Sequence, residues 1–115
     1  MIADLTAHAV AQALRERTKG TFDSGLFHMT AAGQTTWHGF ATAIVDAARR
    51  IDPANVRTSL VEAIGSDAFP TPARRPAWSL LNNDRFDRRF GLRRCEWKEG
   101  LDLVISDLMV AEQRA

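Results

Sequence analysis

Apolar residues recur at helical spacing in four segments of this 115-residue chain. Gly20 and Gly91 stand where helices commonly end, and several Thr and Asn residues stand where helices commonly begin. The pattern predicts helices over residues 2–19, from Thr35 or Thr36 to Arg49-Arg50, from Asn82 or Asn83 to Phe90, and over Trp97–Val110.

Two shorter segments between the first three helices favour strands. Residues 25–29 are apolar around Phe27 and are bounded by turn residues, and residues 56–64 mix β-branched and apolar side chains before Gly65. Together these elements predict a small α+β domain of about four helices and two or three short strands, extending over residues 1–115.

Prolines at positions 70, 72 and 76 surround two adjacent arginines, Arg74 and Arg75. Proline fixes φ, lacks an N–H donor and pushes the preceding residue toward extended geometry, so this segment is predicted to be a stiff loop. A guanidinium on a stiff loop suits a phosphate or carboxylate ligand, because its planar fork of donors is already held in place. A surface connector explains the same residues, and both interpretations stay open.

The composition narrows the class of protein. Hydrophobic residues make up 45% of the chain, which is enough for a modest core, and the formal net charge of +1 argues against a dedicated nucleic-acid or membrane surface. No apolar run approaches the ~20 residues of a membrane span. Seven arginines fall between Arg74 and Arg94, but acidic residues are interleaved, so most of this cluster is predicted to be a solvated helix face. The single Cys95 fits a reducing compartment, and we expect a cytoplasmic protein.

Several blocks of the sequence resemble one enzyme family. The blocks are Gly25-Leu26-Phe27-His28, then Gly33-Gln34-Thr35-Thr36-Trp37-His38-Gly39-Phe40-Ala41, then Phe69-Pro70-Thr71-Pro72-Ala73-Arg74-Arg75-Pro76. Their order and spacing resemble the carboxyl-terminal part of dTDP-4-dehydrorhamnose reductases, which are extended short-chain dehydrogenases. The resemblance covers essentially the whole chain.

The resemblance implies that the chain is the sugar-nucleotide-binding lobe of a larger reductase whose Rossmann half is absent. The G-x-G-x-x-G fingerprint and the Tyr-x-x-x-Lys pair of such enzymes have no counterpart, since the chain has no tyrosine and its seven glycines never fall in that arrangement. The parent protein is expected to reduce dTDP-4-dehydrorhamnose with NADPH or NADH. This chain alone is expected to bind no cofactor, to hold no catalytic residue and to show no activity.

The same resemblance implies residues for binding a dTDP-sugar nucleotide. Arg75 belongs to an Arg-Pro pair that points toward the diphosphate in this family, and Arg74 occupies a position that varies in the family. Thr35 and Thr36 join them because they lie where a loop leads into a helix, whose free N–H groups favour an anion. A capping role alone for Thr35 or Thr36 explains the same residues, and both interpretations stay open. Trp37 is in phase with the buried face of that helix, so we predict that it packs there. The three histidines lack metal-ligand spacing, and no metal site is predicted.

A second function class stays open. A related branch of the same fold is a regulatory subunit of methionine adenosyltransferase and shares the Arg-Pro loop, so the chain is alternatively a non-catalytic binding module. In either case the absent Rossmann domain is expected to leave an apolar patch bare near residues 25–29 and 35–40, which predicts a homo-oligomer.

Overall fold

The computed structural model describes residues 2–69, 71–73 and 76–112, with the last three of these described by their backbone alone. It contains a short 3₁₀ helix at Ser66–Ala68 and four α-helices, which are α1 (Ile2–Thr18), α2 (Trp37–Ile51), α3 (Asp84–Phe90) and α4 (Trp97–Glu112). The four predicted helices are therefore present. None of the helices formed by these residues combines the length and the apolar composition that a membrane span needs.

The predicted strands are wrong, and with them the α+β class. None of the described residues belongs to a strand, and the β-type pairing among them is an isolated parallel bridge between Ala32 and Glu96. Residues 25–29 and 56–64 are irregular instead. A strand-like pattern shows that a segment suits a pleated, half-buried surface, but it does not supply a second strand to pair with.

The chain forms two compact units, each made of two stretches of sequence. The first unit consists of Met1–Ala32 and Leu80–Glu96, and the second consists of Gly33–Ser79 and Trp97–Ala115. Helices α1 and α3 therefore belong to the first unit, and α2 and α4 belong to the second.

In the first unit, two polar side chains bond the backbone that follows residues 25–29. The side-chain amide of Asn83, a residue that is 8% exposed, accepts a hydrogen bond from Thr30 N at 2.8 Å and donates to Thr30 Oγ1 at 3.0 Å. The guanidinium of Arg94 donates to the carbonyl oxygens of Thr30 and Ala31 at 3.3 and 3.1 Å. Backbone groups removed from water need such partners, so these side chains hold residues 30 and 31 in place.

The core of the first unit forms around α3. Phe86 is 3% exposed, and its ring centroid lies 5.0 Å from that of Phe90, which meets the Phe27 ring edge-on at 5.2 Å. Ala9 of α1 is also buried. Helix α3 ends at Gly91 with a φ of 61°, a left-handed conformation that residues other than glycine rarely adopt. The spacing of Phe86 and Phe90 by four positions thus places both rings on the packed face of this short helix.

Two arginines of the cluster between Arg74 and Arg94 are held in ion pairs. Arg89 of α3 donates to both carboxylate oxygens of Glu16 of α1, and these hydrogen bonds lower the pKa of Glu16 to about 2. Arg94 binds Asp87 in the same two-pronged way, at 2.8 and 3.0 Å, and lowers the pKa of that carboxyl group. The side chains of Arg89 and Arg94 are 20% and 18% exposed, so the prediction of a solvated face does not hold for them.

In the second unit, α2 packs against α4. Ala47 of α2 is 2% exposed, and the ring centroids of Phe40 and Trp97 are 5.9 Å apart. At the surface, Arg50 Nη2 lies 2.7 Å from Asp102 Oδ1. An exposed ion pair contributes at most about 1 kcal/mol, so burial of apolar side chains is the main attraction between the two helices.

Helix α2 also bonds residues 56–64 through two of its side chains. Arg49 Nη2 donates to the carbonyl oxygen of Thr58 at 2.6 Å, and His38 Nε2 lies 3.1 Å from the carbonyl oxygen of Val61. These side chains thus contact carbonyl oxygens that the predicted strand would have offered to a partner strand.

Many large apolar side chains are exposed to solvent. Those more than half exposed are Ile2, Val10, Leu14, Leu26, Trp37, Leu60, Ile64, Phe69, Trp78, Leu103, Val104 and Leu108. Leu26 and Trp37 fall in the two segments where the sequence predicts a bare apolar patch.

Candidate functional site

The candidate site begins at the amino terminus of α2. Thr36 is the N-cap, and its hydroxyl oxygen accepts a hydrogen bond from Gly39 N at 3.0 Å. The carbonyl oxygen of Thr36 accepts from Phe40 N at 2.8 Å, which closes the first helical turn. Of the two threonines predicted as possible N-caps, Thr36 is therefore the N-cap of α2. Because its hydroxyl acts as an acceptor toward Gly39, that group keeps a proton that it can donate to a ligand.

Thr35 lies against the same turn. A Cβ atom added to Gly39 would come within 2.6 Å of Thr35 Oγ1, closer than real Cβ atoms approach, and the Thr35 hydroxyl reaches the carbonyl oxygen of Thr36 at 3.4 Å. Glycine at position 39 therefore makes room for Thr35, and the structure brings both predicted threonines together at one end of α2.

The electrostatics of this helix end favour an anion. Helix α2 has no acidic residue in its first turn, whereas the first turns of α1, α3 and α4 contain Asp4, Asp84 and Glu99. The free N–H groups and partial positive charge of a helix amino terminus attract phosphate and carboxylate groups, and no carboxylate of α2 itself competes for them there. The arrangement suits the binding of an anionic group rather than proton transfer.

Trp37 is placed differently from the prediction. It is the first residue of α2, and its side chain is 80% exposed, so the prediction that it packs on the buried face is wrong. The packed face begins one turn later at Phe40, whose ring lies against Trp97. A side chain in the first turn leans back toward the helix amino terminus, beyond the part of α2 that α4 covers.

The predicted ligands Arg74 and Arg75 lie outside the described residues, as does Pro70. Their roles stay predictions. In the described part of the loop, Thr71 Oγ1 donates to the carbonyl oxygen of Ala73 at 2.9 Å. Trp78, three positions after Arg75, is 73% exposed.

Sequence reasoning missed two residues of this site. Gly39 fits closely under Thr35, and His38 connects the first turn of α2 to the backbone at Val61. A glycine three positions after a threonine cap was a usable signal, because glycine is unfavourable inside a helix unless something needs the space. The histidine contact spans 23 positions, and no local pattern indicates it.

A metal centre is not formed by the described residues, among which no group of three or more His, Cys, Asp or Glu side chains could hold an ion.

Comparison with known proteins gives one consistent result. The family described as RmlD substrate binding domain matches residues 2–110. A dTDP-4-dehydrorhamnose reductase of Burkholderia thailandensis is 49% identical over 109 residues, which are 94% of this chain and 37% of that protein. The reductase of Salmonella typhimurium is 37% identical over 110 residues, covering 94% of this chain and 34% of that protein. The chain thus spans about a third of the length of these curated relatives.

Proposed function

Because this chain belongs to the RmlD substrate-binding domain family, we propose that it binds the dTDP-linked sugar in a dTDP-4-dehydrorhamnose reductase. The observation that carries the proposal is the family match over residues 2–110, supported by the names of the two relatives. Their names favour the reductase over the regulatory module that the sequence left open. The product of such an enzyme is a dTDP-linked 6-deoxy sugar. The chain has a single cysteine, Cys95, and this composition fits a cytoplasmic location.

The nicotinamide cofactor of the reductase does not fit this chain. The sequence has no tyrosine and no G-x-G-x-x-G arrangement that would let a backbone approach a pyrophosphate at a strand-helix turn. The proposal therefore assigns NADPH or NADH, and the proton donor, to residues outside this chain. What this chain contributes is the binding and orientation of the sugar nucleotide, which lowers the entropic cost of the reaction.

Within the chain, the amino terminus of α2 takes the diphosphate. Thr36 donates its hydroxyl proton to a phosphate oxygen while it continues to cap the helix, and Thr35 supplies a second hydroxyl group beside it. Arg75 adds a guanidinium, whose planar donors match phosphate oxygens in pairs, and Arg74 adds a second positive charge. The absence of acidic residues from the first turn of α2 supports this assignment.

A chimeric enzyme tests the proposal. This chain replaces the matching 109 residues of the Burkholderia reductase, and oxidation of NADPH by dTDP-4-dehydrorhamnose is followed. The chimera is expected to turn over substrate, whereas the isolated chain is expected to show no activity. A folded chimera that leaves the substrate unreduced would refute the proposed function.

Sugar-nucleotide affinity of the chimera tests the role of Arg75 separately. A charged hydrogen bond contributes about 1.5–3 kcal/mol, so Arg75→Ala is expected to weaken sugar-nucleotide binding about 10- to 150-fold, with little change in NADPH affinity. Arg74→Ala is expected to have a smaller effect, and Arg93→Ala in the first unit none. Unchanged binding in Arg75→Ala would reject this residue while leaving the function of the chain intact.

A further inference from the structure

Trp37 lies at the candidate site with its side chain uncovered. It is 80% exposed, although another tryptophan of the same unit, Trp97, packs its ring near that of Phe40. An indole ring is large and apolar, so leaving it in water forgoes the stabilisation that burial would give. The aromatic contact between α2 and α4 lies at Phe40 and leaves the Trp37 side chain uncovered.

The proposed substrate carries a group that suits an indole ring. A dTDP-linked sugar has a planar thymine base on the same molecule as its diphosphate, and aromatic side chains bind nucleic-acid bases by stacking on the π-face. Trp37 directly follows Thr36, which the proposed function assigns to the diphosphate. The residue assigned to the diphosphate and the exposed indole are therefore adjacent at the same end of α2.

We propose that Trp37 stacks on the thymine base of the bound dTDP-sugar and is a base-recognition residue of this site. The inference rests on the proposed function and adds to it the group that reads the nucleotide. The pyranose ring of the hexose is the other part of the substrate that could lie on an aromatic face. Binding of dTDP distinguishes stacking on the base from stacking on the hexose, because dTDP has the base and the diphosphate but no hexose.

The test is a titration of the ¹⁵N-labelled chain with dTDP, followed at the indole N–H resonance of Trp37, which is identified by its loss in Trp37→Phe. We expect dTDP to shift this resonance. Stacking on an aromatic ring predicts that Trp37→Ala weakens dTDP binding about 5- to 150-fold. Trp37→Phe keeps an aromatic face and is expected to lose much less. Inorganic pyrophosphate, which has no base, is expected to bind the wild type and Trp37→Ala equally.

Leu103→Ala is the matched control. Leu103 is an exposed apolar residue of the same unit, and its neighbour Asp102 bonds to Arg50 in the last turn of α2, at the opposite end of that helix from Trp37. Its removal is expected to leave dTDP binding unchanged.

The outcomes separate the two claims. Failure of the wild-type chain to bind dTDP would count against the proposed function itself. Binding of dTDP without a shift of the Trp37 resonance, or with equal affinity in Trp37→Ala, would overturn the stacking role alone. An equal loss of pyrophosphate binding in Trp37→Ala would overturn it too, because the ring would then be supporting the anion site. Should Trp37→Ala fail to fold, the wild-type resonance and Trp37→Phe decide the question.

Discussion

Arg94 is the side chain whose removal should damage the first unit most clearly. Its guanidinium makes two hydrogen bonds to Asp87 at 2.8 and 3.0 Å and two more to the carbonyl oxygens of Thr30 and Ala31 at 3.1–3.3 Å. Asp87 is 40% exposed, so water can replace the guanidinium there and that part is worth about 0.5–1 kcal/mol. The two longer bonds to partly buried carbonyl oxygens add about 1 kcal/mol each. Arg94→Ala should therefore lower the free energy of unfolding by about 2–3 kcal/mol.

Urea unfolding followed by helical circular dichroism measures this loss. With an m value of about 1–3 kcal/mol/M, the midpoint should fall by about 0.7–3 M. Arg93→Ala is the control, because the neighbouring arginine is exposed and its removal should change stability by less than about 0.5 kcal/mol. Arg94→Lys should be intermediate, since one ammonium group cannot bond the carboxylate in two places and reach both carbonyl oxygens. Equal midpoints for Arg94→Ala and Arg93→Ala would show that these bonds do not hold residues 30 and 31 in place.

Three further predictions concern pH, packing and association. The pKa of Glu16 is about 2 in the folded chain and 4.5 ordinarily, so its pairing with Arg89 stabilises the fold fully above pH 4.5 and is lost as the pH falls toward 2. The melting temperature should drop over that range, and the drop should be smaller in Glu16→Gln. Gly39→Ala should lack the stability that alanine usually adds inside a helix, because its Cβ would meet the Thr35 hydroxyl at 2.6 Å. Adding Thr35→Ala should recover that stability in thermal melts, and an unrelieved double variant would place the clash elsewhere. The many exposed apolar side chains predict self-association at micromolar concentration, and sedimentation showing one ideal monomer would contradict this.

The helices could be predicted because their signals are local. Periodic apolar positions and a threonine pair predicted both ends of α2 to within one or two residues. The residues Phe86, Phe90 and Gly91 predicted the packed face and the end of α3. Each signal lies inside the element that it describes, so no knowledge of distant contacts was needed.

The features that could not be predicted depend on contacts between distant parts of the chain. Arg89 and Glu16 are 73 positions apart, so their ion pair left no mark on the local charge pattern. The expected strands needed partner strands, and in residues 56–64 two carbonyl oxygens lie against the side chains of Arg49 and His38 instead. Trp37 was correctly placed in phase with Phe40 on α2, but the sequence does not show how far α4 extends along α2. That extent decides which of these side chains α4 covers. Of the site itself, the threonine end of α2 was predictable, while the exposed indole was not.

The bonds from Arg49 and His38 to residues 56–64 end on carbonyl oxygens, not on side chains. Every amino acid carries the same carbonyl group, so Thr58 and Val61 can be replaced without loss of these attachments. These attachments therefore place little constraint on which side chains stand at the two positions. Selection on them acts mainly through the function of the exposed side chains. Over evolutionary time such a segment can diversify its surface chemistry while the helix that holds it stays the same.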